Sequence, residues 1–233
     1  MKKQILFFDL DRTLLDFSAS ERKGLERTFK HFEIPFQDDI YRWYLDYNDK
    51  LWGDYEDGLI PKNHIFECRF NDTFQHFGRC VDGNAMEAFY RTTLADGNDL
   101  IPDALFVLDT LSKTHRLFAA TNGLASTQVK RVKDAGLAPY FENVFISEAM
   151  QLQKPMKEYF DSCFAQIDDF SKERSLLIGD SLASDIQGGI NAGIDTCWFN
   201  PDSTANHRGI APTYEIRKLT DLFQLLEVSI LHP

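Results

Sequence analysis

Residues 5–13 read Ile5-Leu6-Phe7-Phe8-Asp9-Leu10-Asp11-Arg12-Thr13. Four apolar residues run without a break and stop at acids. A strand buried on both faces of a parallel sheet reads this way, because helices cover both of its surfaces. Three further runs look alike: Leu117-Phe118-Ala119-Ala120, Val144-Phe145-Ile146 and Ser175-Leu176-Leu177-Ile178. Thr196-Cys197-Trp198-Phe199 makes a fifth, and Thr213 to Ile216 predicts a short sixth. Helical patterns alternate with these runs. Thr127 to Ala135 is closed by Gly136, and Ser184 to Ala192 by Gly193. Pro155 to Gln166 opens on a proline at a first-turn position, and a last helix is expected over Leu219 to Val228. This alternation predicts an α/β fold, a doubly wound parallel sheet of Rossmann-like form.

The stretch from Ser18 to Ala95 breaks the pattern. It holds no strand run, and apolar residues recur at helical spacing: Leu25, Phe29 and Phe32; Tyr44, Leu45 and Leu51; Ile65, Phe66, Phe70 and Phe74; Met86, Phe89 and Tyr90. Pro35, Gly53, Gly58, Pro61, Gly78 and Gly83 punctuate it. The reading is a helical-bundle cap of about four helices over 18–95, inserted into an α/β core of 1–17 and 96–233.

A chain of 233 residues suffices for one substantial core and a smaller unit. Its net charge of -11 excludes a sequence-independent DNA or RNA binder, which needs a basic face. A small phosphorylated ligand is compatible with that charge, since one cation and one metal can hold it. Cys68, Cys80, Cys163 and Cys197 show neither C-x-x-C nor zinc-site spacing, as expected of isolated thiols in a reducing compartment. Met1-Lys2-Lys3 and the apolar residues after it imitate a signal peptide, but Asp9 and Asp11 cut the run short. The expectation is a cytoplasmic protein with no membrane partner.

The acids at the first strand's end are two residues apart, so both side chains project the same way. In an open parallel sheet, the carboxyl ends of the strands are where ligands bind. Crowded carboxylates repel unless a cation relieves them, and Mg²⁺ favours hard oxygen ligands. The second run ends in Thr121-Asn122-Gly123, a hydroxyl, an amide and a turn whose N–H groups suit an anion. Lys154 stands just before a helix, placed to neutralise a phosphoryl group. The fourth run ends in Gly179-Asp180-Ser181, with Asp185 at the start of the next helix. Asp180 is expected to complete a metal site; Asp185 holds either Asp180's water or Lys154. Each piece alone is an ordinary turn or helix cap. In this order, at successive strand ends, they assemble a site.

With these motifs, Asp9-x-Asp11-x-Thr13, Thr121, Lys154 and Gly179-Asp180-x-x-x-x-Asp185, the chain resembles the haloacid dehalogenase superfamily along its whole length. Leu51-Trp52-Gly53-Asp54-Tyr55, Ser184 to Gly193 and Thr196-Cys197-Trp198 resemble the bacterial house-cleaning nucleotidases that act on pyrimidine nucleoside monophosphates. The resemblance implies a phosphatase with Asp9 as nucleophile and Asp11 as general acid and base. Thr121, Lys154, Asn122 and Gly123 would hold the phosphoryl group. Mg²⁺, with Mn²⁺ the other candidate, would take Asp9, Asp180 and the main-chain oxygen of Asp11, with Asp185 and Ser181 supporting the ligands. Arg12 departs from the family, which more often has glycine or glutamate there.

The expected substrate is a small phosphorylated metabolite such as a nucleoside monophosphate. Trp43, Tyr44, Tyr47, Trp52 and Tyr55 offer aromatic surface for its base, with Trp52 the chosen contact. The rivals are a sugar-phosphate phosphatase, a phosphomutase and a non-catalytic binding protein on the same fold. A dehalogenase would leave Asp11 idle. A monomer or weak homodimer is expected.

Overall fold

The computed structural model describes residues 3–228; the rest of the expected core, 1–2 and 229–233, lies outside them. The chain divides into two compact units, Met1–Phe17 with Asn98–Pro233, and Ser18–Gly97.

The first unit is a parallel sheet of six strands: β1 (Ile5–Phe8), β2 (Arg116–Thr121), β3 (Asn143–Ile146), β4 (Ser175–Gly179), β5 (Asp195–Phe199) and β6 (Tyr214–Ile216). Their order is β3-β2-β1-β4-β5-β6, every pair parallel. The direction of winding reverses between β1 and β4, which opens a crevice at their carboxyl ends. Phe8 registers with Ala119 of β2 and with Ile178 of β4. The residues just past the ends of these three strands therefore converge.

Successive side chains of β1 enter opposite cores. Leu6 and Phe8 pack with α5 (Ala104–Ser112), α6 (Ala125–Asp134) and α10 (Asp221–Leu225) through Val107, Leu111, Val132 and Phe223. Ile5 and Phe7 pack on the other face with α8 (Lys157–Phe164) and the region after α9 (Gln187–Ala192) through Phe160, Phe164 and Ile194. This is why the strand reads as a continuous apolar run rather than an alternating one. A one-turn α7 (Ser147–Met150) follows β3.

Several helix bounds differ from expectation. Pro155 is not in a helical first turn. It follows a cis Lys154–Pro155 peptide, and α8 begins only at Lys157. The helix expected from Ser184 begins as a widened, π-type turn over Leu182–Ile186, with Ser181 Oγ accepting from Ser184 N–H at 3.1 Å. The last helix is shorter, Asp221–Leu225. Gly136 and Gly193 do close α6 and α9, with φ of 72° and 74°, the left-handed region glycine enters without a Cβ penalty.

The second unit is four helices: α1 (Phe17–His31, its first residue in the sheet unit), α2 (Asp38–Glu56), α3 (Lys62–His76) and α4 (Gly83–Ala95). Leu25, Phe29, Tyr44, Leu51, Tyr55, Phe70, Phe74 and Tyr90 are buried in this unit. Its interior also holds an ionic network. Arg69 donates to Glu87 twice, at 2.7 and 2.9 Å, and to Asn48 at 3.2 Å, while Asn48 donates to Glu21 at 3.0 Å. A buried charge needs such partners to offset its desolvation.

Candidate active site

Asp9 follows β1, and its N–H donates to Ile178 O of β4 at 2.8 Å, which fixes the residue at the crevice. Lys154 is 1% exposed, and its ammonium uses three acceptors: Asp9 Oδ1 at 2.6 Å, Asp185 Oδ1 at 2.6 Å and Ala120 O at 2.7 Å. An ammonium has three protons, so its donors are fully engaged. Asn122 aims this lysine. Its side-chain oxygen accepts from Lys154 N–H and its amide nitrogen donates to Lys154 O, both at 2.9 Å.

Asp185 lies on the widened turn after β4. One carboxylate oxygen takes Lys154, and the other accepts from Ser181 N–H at 3.0 Å. Of the two partners weighed for Asp185, the structure places Lys154 against it. Gly179 makes room for it: a Cβ there would stand 2.2 Å from Asp185 Oδ2. Asp180 is anchored by its backbone, whose oxygen accepts from Trp198 Nε1 at 2.8 Å. Thr13 Oγ1 stands 3.5 Å from Asp180 Oδ1.

Asp9, Asp180 and Asp185 each offer a carboxylate oxygen, all within 4.8 Å of one another. Three carboxylates here face one ammonium. Burial holds the Asp9 carboxyl well above the usual carboxylate range; Lys154 opposes this, and Asp185, Asp180 and Asp11 push it further up. Burial alone would lower Lys154, yet Asp185 and Asp9 raise it above the ordinary lysine value. The site therefore carries excess negative charge around Asp9. An all-oxygen donor set in this condition fits a hard divalent cation. Both Asp185 oxygens already accept protein donors, so Asp9 and Asp180 are the better ligands.

Thr121 ends β2 and is buried. Its Oγ1 accepts from Gly123 N–H at 3.0 Å and from Gln128 Nε2 at 2.8 Å. The Gly123 N–H thus serves the turn itself. Asp11 does not join this carboxylate cluster with its side chain. Gln128 Nε2 donates to its Oδ2 at 2.8 Å, and Arg131 Nη1 reaches its Oδ1. Gln128 and Arg131 were not foreseen. Their only signal is a spacing of three on the helix that follows Thr121-Asn122-Gly123, which places them on one face. Arg12 adopts φ of 62°, with its N–H donating to Leu15 O at 2.8 Å, a conformation that glycine would take without strain.

A family model for haloacid dehalogenase-like hydrolases matches residues 6–199. The chain belongs to that family. HAD-hydrolase YfnB of Bacillus subtilis is 43% identical over 224 residues, 96% of this chain and 95% of that one. A crystal structure of YfnB bound to magnesium superposes with a TM-score of 0.95 at 42% identity, covering 98% of this chain and all of that one. Pyrimidine 5'-nucleotidase PynA of Streptococcus pneumoniae is 42% identical, covering 98% of this chain and 97% of its own. Pyrimidine 5'-nucleotidase YjjG of Escherichia coli is 34% identical, covering 97% and 99%.

The aromatic set on α2 is divided by the structure of this hydrolase. Tyr44 and Tyr55 are buried in the bundle. Trp43 stacks on His76 with ring centres 4.7 Å apart, and Tyr47 donates to Asp72 at 2.5 Å. Trp52 meets Tyr55 and Phe66 edge-on. Among the described residues, no helix is long and apolar enough to cross a membrane.

Proposed function

We propose that this hydrolase is a metal-dependent phosphatase acting through an aspartyl phosphate on Asp9, with pyrimidine nucleoside 5'-monophosphates as substrates. The observation that carries the reading is the buried Lys154–Asp9 pair at a strand's carboxyl end, with Asp180 and Asp185 around it. The substrate class rests on the full-length similarity to two pyrimidine 5'-nucleotidases.

Asp9 and Asp180, with the main-chain oxygen of Asp11, would hold Mg²⁺. When bound, the ion supplies positive charge that keeps Asp9 ionised and balances the phosphoryl oxygens. A carboxylate oxygen of Asp9 attacks phosphorus in line, and the bond to the ester oxygen breaks. The leaving oxygen takes a proton from Asp11 and departs as the nucleoside hydroxyl. Water then attacks the phosphorus of the aspartyl phosphate and gives its proton to Asp11. The Asp9–phosphorus bond breaks, releasing inorganic phosphate and restoring both carboxyl groups. Lys154 and the Thr121 hydroxyl stabilise the charge on the transferring group, joined by the backbone N–H of Asn122.

Phosphate release from a panel of nucleoside monophosphates and sugar phosphates tests the reading, run with Mg²⁺, with EDTA and with Asp9→Asn. Metal-dependent release from pyrimidine monophosphates, lost in the variant, is the expected result. Release from sugar phosphates alone would contradict the substrate class. Isomerisation that needs a bisphosphate activator, with little free phosphate, would contradict hydrolysis.

A further inference from the structure

Asp11 and Thr121 follow different strands, yet one side chain holds both. Gln128 lies in the first turn of α6 and is 1% exposed. Its Nε2 is 2.8 Å from Asp11 Oδ2 and 2.8 Å from Thr121 Oγ1, while its Oε1 accepts from Arg131 Nη1 at 3.1 Å. The orientation of the amide follows from chemistry. A guanidinium only donates, so the amide oxygen faces Arg131 and the nitrogen is left for Asp11. The NH₂ group then has one proton for Asp11 and one for Thr121. Arg131 also reaches Asp11 Oδ1, which closes a ring of three side chains.

The consequence at Thr121 is directional. A hydroxyl has two acceptor lone pairs and one proton. Gln128 Nε2 and Gly123 N–H occupy the acceptor side. The proton is therefore turned away from both, as a donor. Gly123 permits this contact: a Cβ there would stand 2.6 Å from Gln128 Cγ.

We infer that Gln128, locked by Arg131, is a positioning residue that sets Thr121 as a hydrogen-bond donor to the phosphoryl group and fixes the Asp11 carboxyl for proton transfer to the leaving oxygen. This rests on the aspartyl-phosphate reading above. Gln128 acts through the two side chains it holds.

The test compares leaving groups. kcat/KM reports events up to phosphoryl transfer to Asp9. A nucleoside alkoxide needs the proton from Asp11; p-nitrophenolate departs readily without it. Gln128→Met keeps the shape and removes the donors. It is expected to lower kcat/KM on a pyrimidine monophosphate by about 10²-fold, the scale of a lost general acid, and to lower it at least tenfold less on p-nitrophenyl phosphate. Gln128→Glu, isosteric but unable to donate, should show the same imbalance, and serves if the first variant does not fold. Equal losses on both substrates would overturn the hold on Asp11, and no loss on either would overturn the positioning role. Acid-quench trapping of the phosphoenzyme in the unmodified protein separates the two claims. Its absence there would remove the aspartyl-phosphate reading itself, whereas equal losses with the phosphoenzyme present overturn only the role of Gln128 at Asp11.

Discussion

The side-chain amide of Asn122 makes two hydrogen bonds of 2.9 Å to the backbone of Lys154, one donated and one accepted, across 32 residues of sequence. This clamp sets where the lysine backbone starts its reach to Asp9. Asn122→Ala removes both bonds, and Asn122→Asp keeps an acceptor for Lys154 N–H but loses the donor to Lys154 O. Misplacement of a catalytic group by about 1 Å costs on the order of 10²-fold in rate. Asn122→Ala is expected to lose activity on that scale, and Asn122→Asp to lose activity as well. Steady-state kinetics on variants of confirmed fold check this.

Three carboxylates around one ammonium predict that a divalent cation binds the folded chain without substrate. A ligand that binds only the native state stabilises it by about 2.7 kcal/mol at a concentration 100 times its Kd. Mg²⁺ should therefore raise the unfolding temperature, and EDTA should remove the increment. Asp180→Asn should abolish it while leaving Lys154 paired with Asp9 and Asp185. Calorimetric scans with and without Mg²⁺ measure the effect. An unchanged increment in the variant would exclude Asp180 as a ligand.

Arg12 holds a left-handed backbone, φ 62°, immediately after Asp11. Such a conformation costs a side-chain-bearing residue about 1–2 kcal/mol, part of which glycine repays in unfolded-state entropy. Arg12→Gly is expected to raise stability by about 0.5–1 kcal/mol, and Arg12→Val to lower it. Denaturant midpoints at constant slope check both signs.

Burial pushes the thiols of Cys163 and Cys197 up to about 12, while Cys80 is exposed. Cys80 should react with a thiol reagent at pH 8 in the native protein, and Cys163 and Cys197 only on unfolding. The linkage has a definite sign. An unfolded thiol ionises near pH 8.5, about where free cysteine does, so above that pH the unfolded state binds fewer protons than the native state. Stability is complete below about pH 8.5 and falls as pH rises through the range up to about 12. Cys163→Ala with Cys197→Ala should flatten that part of the pH–stability curve.

Much of the site was legible because its residues interrupt strong patterns. Asp9 and Asp180 end apolar runs, and Thr121 ends a third. Gln128 and Arg131 were invisible for the opposite reason: polar residues on a helix interrupt no apolar run, and only the fold shows that both are buried against Asp11. Pro155 misled because proline suits both a first helical turn and a tight turn, here the one closed by Met156 N–H on Gln153 O at 2.8 Å. Among the aromatics of α2, helical spacing does not separate core positions such as Tyr44 from the half-buried Trp52.

The central claim is the covalent bond to Asp9, and it is tested directly by trapping. The enzyme is mixed with a pyrimidine monophosphate and Mg²⁺, quenched in acid within one turnover, treated with borohydride and digested for mass spectrometry. Reduction of an acyl phosphate leaves an alcohol, so the account predicts homoserine at position 9 and unmodified aspartate at positions 11, 180 and 185. Phosphate release under the same conditions with residue 9 recovered as aspartate would contradict it.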